Sequence, residues 1–272
     1  GFNWVVTRIS AGIHQGQISE MLMATGGAGN WSDGVYRYCE RGFDAAFWAE
    51  PFNAMSNAAF LLVAVAGAVH LARRPRVAGH PDHRAAEWAL TGLVFAIGVG
   101  SFLFHTLAMR WASLADTAPI GLFMLGYFGY ALRRLLGFGW VPAFLGVAGF
   151  VLALRYSGNI PCLPGLLPIT RAGGHPCFNG SLGYIPALVA LAAVGAALML
   201  KRHAAGPWVL AAGAVFLVSL TFRTIDFEVC ALSRVMGRVR GTHALWHLLN
   251  AATLHLLLTA AVRHGPLRTL KA

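Results

Sequence analysis

Long apolar segments recur along this chain and leave little room for a soluble domain. An α-helix rises 1.5 Å per residue, so about 20 apolar residues cross the ~30 Å hydrocarbon core of a bilayer. Of the sequence, 57% is hydrophobic and only 11% is charged, whereas soluble domains carry about 25% charged residues. We therefore predict an all-α integral membrane protein, a bundle of seven transmembrane helices. The predicted spans lie near residues 52–72, 87–108, 114–133, 138–155, 183–200, 207–225 and 242–262.

The basic residues between these segments predict the orientation of the bundle. Cytoplasmic loops carry an excess of Lys and Arg, and this excess falls on the connections at 73–86, 133–137 and 201–206 and on the tail from residue 263. The N-terminus is then outside and the C-terminus cytoplasmic. A bacterial inner membrane is the predicted location, with the endoplasmic reticulum or Golgi membrane as the alternative.

The net charge of +11 raises the question of nucleic-acid binding. We exclude nucleic acid as a partner, because the sequence has no basic stripe with interleaved aromatic residues and no groove-reading motif. Arginines in short connections pair instead with anionic lipid headgroups.

One membrane domain is expected, covering residues 37–262. Residues 1–36 are predicted to be a poorly ordered N-terminal extension, and residues 263–272 a cytoplasmic tail. The first 30 residues lack the charged-then-apolar pattern of a signal peptide, and we assign them no function.

All cysteines fall on the predicted outer side, which indicates an oxidising compartment. Cys162 and Cys177 share one loop rich in Pro and Gly, so we pair them, which leaves Cys39 with Cys230. Four cysteines allow three pairings, and four free thiols are the alternative.

Polar side chains within the apolar segments are candidate functional residues, because burying them in a membrane is costly. Ser101 and His105 lie four residues apart, as do His243 and His247, so each pair shares one face of its helix. The predicted topology brings both pairs and Asp116 to one depth near the outer surface. Three histidines with an open fourth position are typical of a catalytic zinc site, although iron or cobalt would accept the same ligands.

Each histidine has a simpler interpretation when taken alone. A single His105 in an apolar helix is more often a hydrogen-bonded core residue than a metal ligand. The three histidines at matching depth, with Ser101 and Asp116 beside them, favour the metal site. A retinal protein is excluded, since residues 242–262 contain no lysine for a Schiff base.

Several motifs resemble the alkaline ceramidase family, part of a wider superfamily of seven-helix hydrolases that includes adiponectin/progestin-type receptors and hemolysin III. The similarity runs from about residue 37 to 262, and the spacings from Ser to His and from His to Asp match without a gap. The motifs are Gly100-Ser101-x-x-Phe104-His105, Asp116-x-x-Pro119, His243-Ala244-x-Trp246-His247, Cys39-Glu40, Glu50-x-x-Asn53-x-x-Ser56-Asn57 and Asp226-x-x-x-Cys230.

This resemblance implies roles for the polar residues. His105, His243 and His247 would hold zinc, Asp116 would deprotonate the attacking water, and Ser101 would hydrogen-bond that water or the developing oxyanion. The resemblance also implies a Cys39–Cys230 disulfide.

The activity implied is cleavage of the amide bond of a ceramide-like sphingolipid to a sphingoid base and a fatty acid. The lipid substrate would enter from the bilayer. A lipid-binding receptor or sensor of the same superfamily is the main alternative, and a zinc lipase acting on another lipid bond is the other.

The resemblance also implies a calcium-binding patch before the first helix, in which Glu40 and Glu50 match positions of the family and Asp44 could compensate for a missing acid. Arg37 stands where the family has an acidic residue, and a positive charge would repel Ca²⁺. The alternative is therefore structural, with Arg37 pairing with the carboxylates in place of the ion. Asn53 is expected to form interhelical hydrogen bonds, with substrate contact as the alternative.

Overall fold

The described part of the chain is mostly helical. The computed structural model describes residues 30–74, 84–160, 177–235 and 237–264. The chain divides into two compact units, residues 1–33 and residues 34–272. All the elements below belong to the second unit.

Eight α-helices are described, together with short connecting elements. The helices are α1 (Pro51–Ser56), α2 (Ala58–Arg73), α3 (Arg84–Leu107), α4 (Arg110–Tyr130), α5 (Trp140–Gly158), α6 (Ile185–Leu200), α7 (Gly206–Thr224) and α8 (His243–His264). The connecting elements are a π-helical turn (Ala131–Leu135) after α4, 3-10 segments at Cys177–Tyr184 and Cys230–Leu232, and an antiparallel hairpin of β1 (Arg234–Val235) and β2 (Arg238–Val239).

Within the described residues, six helical stretches are long and apolar enough to cross a membrane. They are the combined α1–α2, then α3, α5, α6 with its 3-10 segment, α7 and α8. The expectation of an all-α, membrane-embedded protein is met at this level. The span predicted at 114–133 corresponds to α4, which is 21 residues long but less apolar. The count of seven spans therefore stays a prediction.

A break at Asn57 separates α1 from α2. The Asn57 side-chain amide donates to the carbonyl oxygen of Asn53 at 2.8 Å, and the Ser56 hydroxyl donates to the same oxygen at 2.8 Å. Side chains that bond the nearby backbone compete with regular helical hydrogen bonding. The break leaves Ser56 and the Asn53 carbonyl facing α8.

Helices α3 and α4 approach each other closely because Gly100 has no side chain. A Cβ atom placed on Gly100 would lie 2.0 Å from the carbonyl oxygen of Ala115. This contact sets the neighbours Ser101 and Asp116 side by side on facing helices.

Residues 34–50, here called the cover segment, lie over the ends of α3 and α8. The Val35 N–H donates to the Ala108 carbonyl at 2.6 Å, and a disulfide joins Cys39 to Cys230. The predicted Cys39–Cys230 pairing is thereby confirmed. Cys177 is also disulfide-bonded, whereas Cys162 lies outside the described residues.

Candidate metal centre

Three histidines from two helices meet beneath the cover segment. His105 comes from the last turn of α3, while His243 and His247 come from the first turns of α8. One nitrogen of each lies within 4.8 Å of the others, and each residue is at most 2% exposed. In the described part of the chain this is the one group of three or more His, Cys, Asp or Glu side chains close enough to share an ion.

Polar partners on the far side of two imidazole rings orient them. The Nδ1 atom of His105 lies 2.5 Å from a carboxylate oxygen of Glu50. The Nδ1 atom of His247 lies 2.8 Å from the Ser56 hydroxyl and 3.1 Å from the Asn53 carbonyl oxygen. A carbonyl or carboxylate accepts only, so it places the proton on Nδ1 and leaves the Nε2 lone pair free.

The ring nitrogens that remain provide the test of whether a metal fits. Among the described residues, His105 Nε2 and His243 Nδ1 are buried without a hydrogen-bond partner. Buried polar atoms rarely stay unpaired, because the lost hydration costs about 1–3 kcal/mol each. Three imidazole nitrogens within 4.8 Å of one another are a donor set that zinc accepts, and small movements would bring each to the Zn–N distance of about 2.0–2.1 Å. The residues therefore fit the predicted metal.

Ser101 and Asp116 lie next to the histidines, as the sequence predicts. They are 2% and 7% exposed. The Ser101 side chain and the Asp116 carboxylate lie close together, and His105 is close enough to interact electrostatically with Asp116. Both residues line the same polar pocket as His243 and His247. The arrangement places a proton acceptor and a hydroxyl donor beside the nitrogen cluster.

Tyr38 is part of the site although its sequence context does not indicate it. Its ring stacks on His243 with centroids 3.7 Å apart and planes at 24°. Burial raises the pKa of the Tyr38 phenol, which keeps the hydroxyl available as a donor. The residue also lines the polar pocket. Its only sequence signal is its position beside the disulfide Cys39.

Arg41 is the second residue that the sequence analysis does not single out. It is 3% exposed, and its Nε atom lies 2.5 Å from Glu50. Burial raises the pKa of the Glu50 carboxyl, but the neighbouring His105 and hydrogen bonds from His105, Asn53 and Arg41 bring it below its ordinary value overall. Glu50 is therefore a buried carboxylate held between an arginine and a histidine.

The residues of the predicted calcium site have other partners. Glu40 accepts the backbone N–H groups of Phe52 and Asn53 and pairs with Arg240 at 3.0 Å. An Asp44 carboxylate oxygen accepts from the Ala46 N–H. The arginine that pairs with Glu50 is thus Arg41 rather than Arg37.

Asn53 and Arg37 take other positions near the histidines. The Asn53 amide donates to Glu50 at 2.9 Å, so it supports the carboxylate that orients His105. Arg37 is exposed and lines the polar pocket instead of joining the carboxylates.

Asp226 anchors the start of α8. One carboxylate oxygen accepts the N–H groups of Thr242 and His243 at 2.7 and 3.0 Å, and the other accepts the Cys39 N–H at 3.0 Å. Acceptors at a helix N-terminus satisfy its unpaired N–H groups. Gly241 makes room for this arrangement: its φ is +66°, and a Cβ there would lie 2.2 Å from the Asp226 carboxylate.

An apolar cavity adjoins the polar pocket. Residues that line both are Ile97, Ile120, Tyr184 and Asn250. Beyond them the cavity is enclosed mostly by aromatic and aliphatic side chains, among them Phe123, Phe128, Phe150, Leu191, Phe216 and Leu254. A molecule with a polar end at the histidines could place an apolar chain in this cavity.

Comparison with known proteins does not assign a family. No protein-family model matches the chain, and no curated protein is significantly similar to it.

Proposed function

We propose that this chain is a zinc-dependent membrane hydrolase that cleaves the amide bond of a ceramide-like lipid, releasing a fatty acid and a sphingoid base. The observation that carries the proposal is the convergence of three buried histidines, with unpaired ring nitrogens, beside a buried serine–aspartate pair. Three ligands with room for a reactant are typical of a catalytic rather than a structural zinc site. When bound, zinc would supply the Lewis acidity that polarises a carbonyl and activates water at neutral pH.

Asp116 is the proposed proton acceptor. A water beside its carboxylate would lose a proton to Asp116 while attacking the substrate carbonyl, and Asp116 would then return the proton to the leaving amine. Its burial at 7% exposure keeps bulk water away, so each electrostatic contact is stronger than it would be in solution.

Ser101 and Tyr38 are the proposed hydrogen-bond donors. The Ser101 hydroxyl is adjacent to Asp116 and can donate to the oxygen on which negative charge develops. Tyr38 stacks on His243 and lines the same pocket as Ser101. Donors already fixed in place stabilise a developing oxyanion without reorganising during the reaction.

A lipid substrate is supported by the cavity and by the membrane setting. The apolar cavity meets the polar pocket at Ile97 and Ile120. An acyl chain placed there would put its amide beside the histidines. The apolar surface of the helices offers entry from the bilayer, as expected for a substrate with two long chains.

A seven-span topology is supported by the parity of the crossings. Between Cys39 and Cys230 the chain passes through α1–α2, α3, α4, α5, α6 and α7. The disulfide requires both cysteines on one side, which needs an even number of crossings. If α4 did not cross, the number would be odd. We therefore propose that α4 is the seventh span.

The same argument holds between His105 and His243, which are separated by α4, α5, α6 and α7. With the basic connections inside, the N-terminus and the disulfide face the oxidising side. A bacterial inner membrane is the location we propose.

The test is release of fatty acid from a labelled ceramide by the detergent-purified protein, with zinc content measured in parallel. We expect release that a zinc chelator stops and added zinc restores. His247→Ala should lose both zinc and release. His255→Ala is the matched control, because His255 lies on the same helix but is exposed. It should keep both.

The negative outcomes separate the alternatives. If the protein binds zinc and hydrolyses an ester lipid but not ceramide, the proposed activity changes from an amidase to a zinc lipase. Bound zinc without turnover of any lipid would favour a receptor. Full zinc occupancy in His247→Ala would contradict the ligand assignment itself.

A further inference from the structure

Arg41 is enclosed by oxygen atoms that match its hydrogen-bond donors one for one. A guanidinium has five N–H donors in a fixed planar arrangement. Nε donates to Glu50 at 2.5 Å, Nη1 donates to the carbonyls of Asp44 and Ala46 at 3.0 and 3.1 Å, and Nη2 donates to those of His105 and Thr106 at 2.8 and 3.2 Å. Every donor of this buried side chain is therefore used.

These oxygens come from parts of the chain that are far apart in sequence. Asp44, Ala46 and Glu50 belong to the cover segment, whereas His105 and Thr106 lie in the last turn of α3. The last carbonyls of a helix lack intrahelical partners and carry the negative end of its dipole. Arg41 thus caps α3 and fastens the cover segment to it.

The oxygen atoms surround the Arg41 guanidinium as they would a bound metal cation, which differs from the single contact of a surface ion pair. A carboxylate and several backbone carbonyls gathered from separate segments are the oxygen donors that Ca²⁺ prefers. Here the guanidinium already donates one hydrogen bond to each of these oxygens. A calcium ion at the same place would have to displace a positively charged group, so the residues present do not fit the calcium site expected from the sequence.

Through Glu50, the same guanidinium acts on the histidine centre. The Glu50 oxygen Oε1 accepts from Arg41, and Oε2 lies 2.5 Å from His105 Nδ1. Because an ionised carboxylate only accepts, Nδ1 must carry the proton and Nε2 must offer its lone pair toward the other histidines. Arg41 also donates to the backbone carbonyl of His105. The backbone of His105 directly, and its imidazole ring through Glu50, are therefore both positioned by Arg41.

We propose that Arg41 is a positioning residue for the metal centre: its guanidinium occupies the place of a structural cation and, through Glu50, holds His105 ready to bind the metal. This inference rests on metal binding by the three histidines, as proposed above, and not on any particular substrate. Partners that orient a metal-binding histidine typically contribute 10–100-fold in metal affinity.

The test compares zinc affinity, by competition with a chelator, in the full-length protein and in three variants. Arg41→Gln and Glu50→Gln should each bind zinc about 10–100-fold more weakly. Arg240→Gln is the matched control, because Arg240 pairs with Glu40 over the same segment but does not reach a histidine. Its zinc affinity should stay within about twofold of wild type, whatever its thermal stability.

Two further measurements distinguish positioning from general stability. The visible spectrum of the cobalt-substituted protein reports ligand geometry and should change in Arg41→Gln but not in Arg240→Gln. In Arg41→Ala, added guanidinium should restore zinc affinity, whereas sodium at equal ionic strength should not. Ca²⁺ should leave the zinc affinity of the wild-type protein unchanged.

The results that would overturn the inference differ from those that would overturn the function. Wild-type zinc affinity in a folded Arg41→Gln protein removes Arg41 from this role and leaves the metal centre intact. A wild-type protein that binds no zinc at the histidines overturns both proposals.

If Arg41→Gln does not fold, the zinc affinity and cobalt spectrum of Arg41→Lys test the proposal instead. Its ammonium has three donors for the five oxygens around Arg41. Weaker zinc binding with an altered cobalt spectrum supports the proposal, and wild-type values for both contradict it.

Discussion

Each histidine of the centre is oriented by a partner of a different chemical kind. His105 is held by a carboxylate, His247 by a hydroxyl and a backbone carbonyl, and His243 by stacking on Tyr38. These restraints come from the cover segment and from α1, not from the helices that carry the histidines. The geometry of the cluster therefore depends on residues that would not themselves touch the metal.

Asp116→Asn separates metal binding from proton transfer. The amide has nearly the same shape but cannot accept the proton of the attacking water. Zinc content should stay at the wild-type level, while the rate of lipid hydrolysis should fall about 10²–10⁴-fold, the usual contribution of a general base. Turnover and bound zinc are measured on the same preparation. Unchanged turnover would remove Asp116 from the mechanism.

The sequence predicts the residues that lie on helices and misses those whose roles depend on distant contacts. His243 and His247 are recognisable from their spacing of four residues, and membrane topology adds His105. Arg41 meets the carbonyl of His105 across 64 residues of sequence, and no local pattern encodes that contact. Sequence alone does not distinguish a buried arginine from a solvated one in the same loop. The prediction that Arg37 pairs with the carboxylates was therefore wrong for Glu50, whose partner is Arg41.

At the scale of elements, the pairing of α3 with α4 decides whether Ser101 can reach Asp116. Gly100→Ala would place a methyl group 2.0 Å from the Ala115 carbonyl oxygen, and no side-chain rotation relieves a clash with backbone. Overpacking of this kind costs about 1–3 kcal/mol. We expect lower thermal stability and a loss of turnover as the helices move apart.

Gly92→Ala is the control for this substitution. Gly92 lies on the same helix, and a Cβ there meets nothing within 4 Å. Alanine is the better helix former by roughly 0.5–1 kcal/mol, so stability should be equal or slightly higher, with unchanged turnover. Equal melting temperatures for the two variants would contradict the close approach described for Gly100.

The sequence predicts most helices because their apolar runs are long, and it is least informative where an element is polar. Helix α4 carries Arg110 and Asp116, so its hydropathy alone is weaker than that of the other spans. The break at Asn57 is also invisible in a hydropathy profile, since it arises from amide and hydroxyl groups that bond back to Asn53. Asp116 of α4 lines the histidine pocket, and the break at Asn57 turns Ser56 and the Asn53 carbonyl toward His247. These contacts account for the polar residues in otherwise apolar helices.

At the scale of the whole molecule, the Cys39–Cys230 disulfide joins the cover segment to the loop that leads into α8. Removing a native disulfide typically costs 2–5 kcal/mol. A Cys39→Ser/Cys230→Ser double variant should therefore melt at a lower temperature and lose zinc to a chelator faster than wild type. Thermal melts and timed zinc release measure the two effects.

Chemical reduction of the wild-type protein should lower the melting temperature at least as far as the double variant, because it also opens the disulfide of Cys177. Thiol labelling under denaturing conditions is the control for complete reduction. An unaltered melting curve in a protein whose Cys39 and Cys230 thiols are fully labelled would show that the bridge does not stabilise the cover segment.

The same bridge has a consequence for how the protein is made. Ribosomes synthesise the N-terminal cysteine first, and its partner follows 191 residues later, after all but the last helix. Two of the three histidines follow later still, on α8. The three proposed zinc ligands can therefore meet only after α8 has been made, whereas Cys39 and Cys230 are both present before α8, so the bridge can hold the cover segment in place ahead of the last two histidines.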